Sequence, residues 1–437
     1  MTIHRRHCLQ AVSATAGLML IPRHILGRGF TAPSDKLNLA GIGVGGVGKS
    51  YLENLNSENI VALCDVDEKL AAEVFSIYPS ARRYRDYREL LDRESEIDAV
   101  VIGTPDHSHA VIAMAALKKH KHIYCAKPLT RTIYEARKLA EAARKAGVAT
   151  QMSTQTNASE DHRLICEWIW DGAIGKVRAV EIWSNRPIWP QGVERPQDTP
   201  PVPDGLDWDL WLGPAPERPY HPAYHPFQWR GWWDFGTGAI GDMGCHGFDP
   251  IFKALKLGHP TSVHASSTKI FPETAPLASA ITFDFPARGN MPPVRVTWSD
   301  GGIQPPRPRE LEDGRPMGNW DGGIFFHGDK GILKCEGVGG SPRLIPESRM
   351  RAYKRPSKKL PRSIGHYQEF IRACKGGPSA AVEWGYGGLL TEVVLLGHLA
   401  VRMSGKKLYW DPAALKITND EEANRHIREP CRPGWSL

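Results

Sequence analysis

The stretch KLNLAGIGVGGVGKS, residues 36–50, restricts the fold more than any other part of the chain. The apolar run Leu37 to Ile42 leads into Gly43-Val44-Gly45-Gly46-Val47-Gly48, and a helix-like segment from Val47 to Leu55 follows. A strand, a glycine turn and a helix in direct succession open a doubly wound sheet, and the pattern G-x-G-x-x-G has a mechanical basis. Gly43 permits the tight turn, Gly45 admits a pyrophosphate against the backbone, and Gly48 lets the helix pack closely on the strand. The helix N-terminus adds N–H donors and the positive end of its dipole. The next apolar run, NIVALCDVD, ends in Asp65, seventeen residues beyond Gly48. A carboxylate there accepts hydrogen bonds from the adenosine ribose and repels a 2′-phosphate, which selects NAD over NADP. The bland alternative is a structural glycine turn with Asp65 capping the following helix.

The alternation continues. Glu68 to Ile77 is helix-like, IDAVVIGTPD reads as a buried strand, and HSHAVIAMAALKKH has helical spacing. KHIYCAKPLT, TIYEARKLAEAARKAG and VATQMSTQ repeat the theme, which predicts right-handed βαβ units and a parallel sheet over 34–155. From 156 the texture changes. DHRLICEWIWDGAIGKVRAVEIW reads as helix, turn and strand, followed by a Pro-, Trp- and His-rich loop over roughly 185–235. Strand-like stretches at 261–271, 278–285, 293–300 and 323–335, with helices from Gly365 to Lys375 and Gly388 to Met403, predict an α+β region with a mostly antiparallel sheet over 156–437. The fold class is therefore α/β, an N-terminal Rossmann domain joined to a C-terminal α+β domain.

Residues 1–33 differ from both. Arg5-Arg6 followed by the apolar run Ala11 to Ile21 has the form of a twin-arginine export leader, and the run is too short to span a bilayer. The expected location is periplasmic, by the twin-arginine route, with no stable membrane span in the mature chain. A net charge of +7, partly in the leader, and no lysine/arginine-rich stripe argue against nucleic-acid partners. The eight cysteines show no CxxC pair, which disfavours a metal knuckle or disulfide framework.

Two further segments carry chemistry. GTPDHSH, 103–109, follows the third long strand run, at the sheet edge where doubly wound folds bind ligands. Thr104, Pro105 and His109 are assigned to the cofactor side; Asp106 either caps the next helix or faces the ligand, and the two roles can coexist. His107 and His109 do not share a helix face, which disfavours a metal pair. GDMGCHGFDP, 241–250, spaces Asp242, His246 and Asp249 by four and three. On a helix all three share one face. The spacing alone leaves open an acid/base pair, a metal site or a capped helix.

With AGIGVGGVG, ALCDVD, GTPDHSH, AKPLT, WDLWLGPAP and GDMGCHGFD in view, the chain after residue 34 resembles the Gfo/Idh/MocA oxidoreductase family, named for glucose–fructose oxidoreductase and inositol dehydrogenase. It is most similar to exported members with a twin-arginine leader. The resemblance implies a C-terminal domain whose open, mostly antiparallel sheet covers the active site, and a homo-oligomer, dimer or tetramer. It also implies bound NAD and a carbohydrate or cyclitol substrate. In the family motif Glu-Lys-Pro, this chain has Ala126-Lys127-Pro128. Lys127 then lies by the nicotinamide ribose and the reacting hydroxyl, Asp242 holds a hydroxyl, and His246 serves as general acid/base. Asp249 is read as structural. The alternatives are a glycoside-cleaving enzyme of the same family, working by transient oxidation, elimination and hydration, and a non-catalytic NAD- or sugar-binding protein.

The long loop offers Trp183, Asn185, Arg186, Trp189, Trp208, Trp211, Trp229, Arg230, Trp232 and Trp233. Indole faces with a few polar groups suit a sugar pocket. Asn185, Trp229 and Arg230, with Gln155 just beyond the Rossmann segment, are the substrate-binding candidates. WDLWLGPAP reads as a structural clamp, which places Trp208 and Trp211 in the core.

Overall fold

The apolar runs of the first half become the strands of a six-stranded parallel sheet. The computed structural model describes residues 35–437, so the expected leader lies outside the described residues. The strands are β1 (Asn38–Ile42), β2 (Asn59–Cys64), β3 (Arg82–Tyr84), β4 (Ala99–Ile102), β5 (His122–Cys125) and β6 (Thr150–Met152), in the spatial order β3-β2-β1-β4-β5-β6. Between them run α1 (Val47–Asn54), α2 (Glu68–Ile77), α3 (Tyr87–Arg93), α4 (Asp106–Lys118) and α5 (Ile133–Ala146). Local chemistry sets the ends. Asp67 accepts the N–H groups of Lys69 and Leu70 to start α2. Thr132 and Glu135 form a capping box at α5, and Gly147 closes it in the left-handed conformation.

The second sheet has nine strands in the order β13-β12-β11-β7-β10-β9-β8-β14-β15. These are β7 (Val177–Ser184), β8 (Ser262–Ser267), β9 (Ser279–Phe285), β10 (Val294–Ser299), β11 (Gly322–Gly328), β12 (Gly331–Glu336), β13 (Gly340–Ile345), β14 (Lys407–Asp411) and β15 (Lys416–Ile417). Only β7 and β10 pair in parallel; the other neighbours are antiparallel. The expected strand over 323–335 is two, because Gly328 and Gly331 flank a tight hairpin at Asp329-Lys330. β13, β14 and β15 have no counterpart in the sequence reading.

The helix carrying GDMGCHGFDP is Gly238–Leu255, α8 here, after α6 (Glu160–Trp170) and α7 (Trp208–Leu212). It lies on the second sheet so closely that a Cβ on Gly247 would stand 3.0 Å from Ile182 of β7. The expected helix from Gly388 begins earlier, as Trp384–Arg402, because the Glu383 carboxylate caps the N–H groups of Gly385 and Tyr386. Among the described residues it is the one helix long and apolar enough to cross a membrane, and it is almost entirely buried in the core. Its Gly388 faces Ala136 and Ala140 of α5. Phe370, on the helix His366–Cys374, joins the cluster of Leu39, Leu63 and Tyr124. The C-terminal segment thus crosses back onto the parallel sheet's domain.

Candidate active site

The glycine turn is fixed by contacts that exclude side chains. Gly43 has φ +74°, and a Cβ there would stand 2.6 Å from the Thr104 nitrogen. A Cβ on Gly48 would stand 2.1 Å from the Gly43 carbonyl oxygen, and one on Gly45 2.6 Å from Leu70. Asp65 holds the turn from below. Its Oδ2 accepts the N–H groups of Val44 and Gly45, both at 2.8 Å, and its Oδ1 accepts that of Asp67 at 3.0 Å. Burial raises its pKa, and the three N–H donors offset part of that rise. Asp65 does not cap α2; Asp67 does, which removes the capping alternative.

From this turn a cavity of about 480 Å³ runs to α8, within the ordinary range for ligand pockets. Gly43, Gly46, Val47 and Asp65 line it, as do Thr104 and Pro105 after β4, then Lys127, Trp229, Arg230 and Asp242. Val44 and Gly48 are buried beneath the turn. The Thr104 hydroxyl is buried without a partner. Tyr87 and Trp435 line the cavity along with Asp65 and Asp86. Their rings lie 6.2 Å apart, with the Arg88 guanidinium 4.5 Å over the indole. A bare glycine turn at a helix N-terminus, an unpartnered hydroxyl and an aromatic wall fit the pyrophosphate, ribose and adenine of NAD. Trp435 lies nearly 400 residues beyond the turn, and nothing in the sequence signals it.

At the other end, Lys127 Nζ donates to the Asp242 carbonyl oxygen at 2.5 Å and to its Oδ1 at 2.8 Å. Ala126, where the family motif has glutamate, is buried beside Tyr51 and Tyr124. The lysine is steadied differently here. Ser153 Oγ accepts the Lys127 backbone N–H at 3.0 Å and the Tyr51 hydroxyl at 2.9 Å. The Lys127–Pro128 peptide is cis. His109 does not reach the cavity wall, contrary to its assignment to the cofactor. It is fully buried, with Nδ1 2.9 Å from the Pro128 carbonyl and Nε2 2.8 Å from the Thr104 carbonyl. It ties the two ligand-facing turns together.

Asp242 collects cations. Besides Lys127, Arg230 Nε lies 3.6 Å from its Oδ1 and Arg186 Nε 3.8 Å from its Oδ2. Burial alone would raise this carboxyl; Lys127, Arg230 and Arg186 outweigh it and hold the pKa below its ordinary value. His246 stands one helical turn along and does not line the cavity; its Nδ1 is buried and unpartnered. Burial, then the Lys127 charge, lowers its pKa to about 3, so the imidazole is neutral. Asp106, also lining the cavity, is pushed up to about 7 by burial, although it accepts the Thr237 hydroxyl at 2.7 Å. Asp249 leaves this group. It accepts from Asn157 at 2.7 Å and Tyr386 at 2.5 Å in the core. Among the described residues no three His, Cys, Asp or Glu side chains gather to hold a metal.

Most of the loop tryptophans are structural. Trp208 stacks on Trp211 at 4.6 Å, and their cluster takes in Leu206, Tyr224, Trp232 and Phe235. Trp183 packs beneath Phe325. Trp229 and Arg230 do face the cavity. Asn185 is exposed, and its Oδ1 accepts from Arg186 at 2.5 Å. Gln155 donates to the Tyr367 hydroxyl at 3.4 Å and does not line the cavity.

Two family models match the chain. Residues 37–154 match "Oxidoreductase family, NAD-binding Rossmann fold", and residues 182–285 match "Oxidoreductase family, C-terminal alpha/beta domain". A glycosyl hydrolase family 109 protein of Shewanella sp. (strain ANA-3) is 30% identical over 204 residues, which are 40% of this chain and 44% of that protein. An inositol 2-dehydrogenase of Rubrobacter xylanophilus is 31% identical over 147 residues, 32% of this chain and 42% of that one. The chain thus spans less than half the length of these curated relatives. A WlbA dehydrogenase from Bordetella pertussis, solved with NADH and UDP-GlcNAcA, shares the fold at TM-score 0.61 and 17% identity, over 86% of this chain and 99% of that one.

Proposed function

Because this chain belongs to the Gfo/Idh/MocA oxidoreductase family, with an NAD-binding Rossmann domain, we propose that it moves a hydride between tightly held NAD and a hydroxyl-bearing carbon of a sugar, glycoside or cyclitol. One observation carries the reading: a single cavity joins the glycine turn to the Lys127–Asp242 pair. NAD, when bound, supplies the hydride acceptor or donor. The chain's own residues do the rest. Gly43 to Gly48 and the start of α1 hold the pyrophosphate, Asp65 faces the ribose, and Thr104 and Pro105 flank the cofactor. Lys127 donates to the reacting oxygen and steadies negative charge as the hydroxyl proton leaves. Asp242 accepts from a neighbouring hydroxyl. His246, one helical turn from Asp242 and neutral at physiological pH, is the candidate to take the proton, although burial makes it a weak base. Trp229, Arg230, Asn185 and Gln155 are the substrate-side candidates. The Arg5-Arg6 leader supports export with NAD already bound, and the family supports a homo-oligomer.

The test begins with the purified protein. A denatured extract is assayed for NAD, and the native protein is mixed with sugars, glycosides and cyclitols while nicotinamide absorbance is followed. Bound NAD whose nicotinamide is reduced supports the reading; no NAD in the extract and no binding on titration overturns it. The similarity to a glycosyl hydrolase family 109 protein favours a second reading, redox-neutral glycoside cleavage. Aglycone release without net NADH distinguishes it.

A further inference from the structure

The charges around Asp242 do not balance. Lys127, Arg186 and Arg230 converge on this one carboxylate, at 2.8, 3.8 and 3.6 Å. Only Lys127 is within hydrogen-bond distance; both guanidinium Nε atoms stand outside it. Arg186 has a second acid, Asp321, 3.2 Å away. Arg230 has none. Its hydrogen bond goes to the neutral Phe227 carbonyl at 3.0 Å, and the carboxylate 3.6 Å from its Nε is already held by the lysine.

The guanidinium is nevertheless held in place. Its carbon lies 4.3 Å from the ring centroids of both Trp229 and Phe227, and the side chain lines the cavity. Stacking on aromatic rings fixes the guanidinium plane and leaves its edge donors for a ligand. Arg186 lies over Trp320, which is 68% exposed, while the Arg186 side chain itself is largely buried. Asp106, the other acid lining the cavity near this group, is partly neutral at physiological pH and adds little counter-charge. An oxidised nicotinamide would add a further positive charge.

Building on the hydride-transfer reading, we propose that the substrate is a sugar acid, whose carboxylate is read by Arg230 with Arg186 beside it. A planar carboxylate matches a guanidinium fork in two hydrogen bonds, a geometry a neutral hydroxyl does not offer. The acid would supply the negative charge that Asp242 alone cannot, while its ring hydroxyls meet Lys127 and Asp242. Trp229 then offers an apolar face to the sugar ring.

The experiment uses the full chain loaded with NAD, titrated with D-glucuronate against D-glucose and D-galacturonate against D-galactose. Binding is read by tryptophan fluorescence and hydride transfer by nicotinamide absorbance. We expect at least one acid to bind roughly 10- to 100-fold tighter than its neutral partner at low salt, the range of a charged hydrogen-bonded pair, with the advantage shrinking as salt rises. Arg230→Gln should bring the acid-to-neutral ratio close to one, and Arg230→Lys should retain part of it. Equal or weaker binding of both acids, or no binding of any of the four sugars, overturns the inference. An acid preference without nicotinamide reduction leaves the inference standing and counts against the hydride reading. Reduction by neutral sugars with no acid preference does the reverse. Should Arg230→Gln fail to fold, the wild-type ratio and its salt dependence decide alone.

Discussion

The two ends of the cavity are built by different means. At the glycine turn the ligand surface is backbone, shaped by the absence of side chains at Gly43 and Gly46 and held by Asp65 from below. At α8 the surface is charge, with Lys127, Arg186, Arg230 and Asp242 brought together from four separate segments. A backbone cradle of this kind tolerates few substitutions and recognises what all dinucleotides share. A charge cluster is adjustable one residue at a time, which suits the substrate-recognition role proposed for it.

That contrast can be broken in order of expected effect. Lys127→Met should slow single-turnover nicotinamide conversion by roughly 10²- to 10⁴-fold, the range of a lost proton-handling or charge-stabilising group. NAD content should stay near that of the parent protein; its loss along with the rate would mean the two ends are not separable. Gly48→Ala should act oppositely. Its Cβ would stand 2.1 Å from a carbonyl oxygen, so thermal unfolding should register a loss of roughly 3 kcal/mol and the protein should purify without NAD.

Asp106→Asn tests the charge end through pH. The folded pKa of Asp106, about 7, lies above its unfolded value, so the protonated form is favoured by folding. Its contribution is full below about pH 4 and is lost as pH rises through 7. The variant, which has no such proton to lose, should match the parent at pH 4 in thermal unfolding. By pH 8 it should exceed the parent by on the order of 2 kcal/mol. The smallest effect belongs to the aromatic wall. Trp435→Ala should speed NAD release about 3- to 10-fold in stopped-flow measurements, the worth of one aromatic stacking partner.

The same contrast explains what the sequence discloses. The Rossmann half is legible because strand, glycine turn and helix are contiguous, and each apolar run is a complete buried strand. Asp242 is legible because it stands in a helical motif of spaced acid and imidazole groups. Arg186 and Trp435 are not. The first is one polar residue in a loop crowded with tryptophans, and the second reaches the cavity only because the chain end folds back, with Arg432 bonded to Asp209 and the Gly213 carbonyl. The tryptophan count was visible, but its destination was not, since an indole suits a sugar pocket and a core equally well. Trp208 and Trp211 show how far packing takes precedence. His109 illustrates the same limit: its place after a ligand-facing turn suggested a contact, whereas the structure uses both ring nitrogens to join two turns. β13 is broken by glycine and proline in its first half, and β14 and β15 are only five and two residues long, so no alternation shows there.

The central claim is that one cavity places a nicotinamide beside Lys127 and Asp242. It is tested most directly by loading the protein with NADH deuterated at the transferable nicotinamide position and mixing it with a panel of keto-sugars, keto-cyclitols and keto sugar acids. The account predicts that deuterium appears on a single carbinol carbon of at least one product by mass spectrometry, and that Lys127→Met slows its arrival. Retention of the label on bound nicotinamide against the whole panel would contradict it.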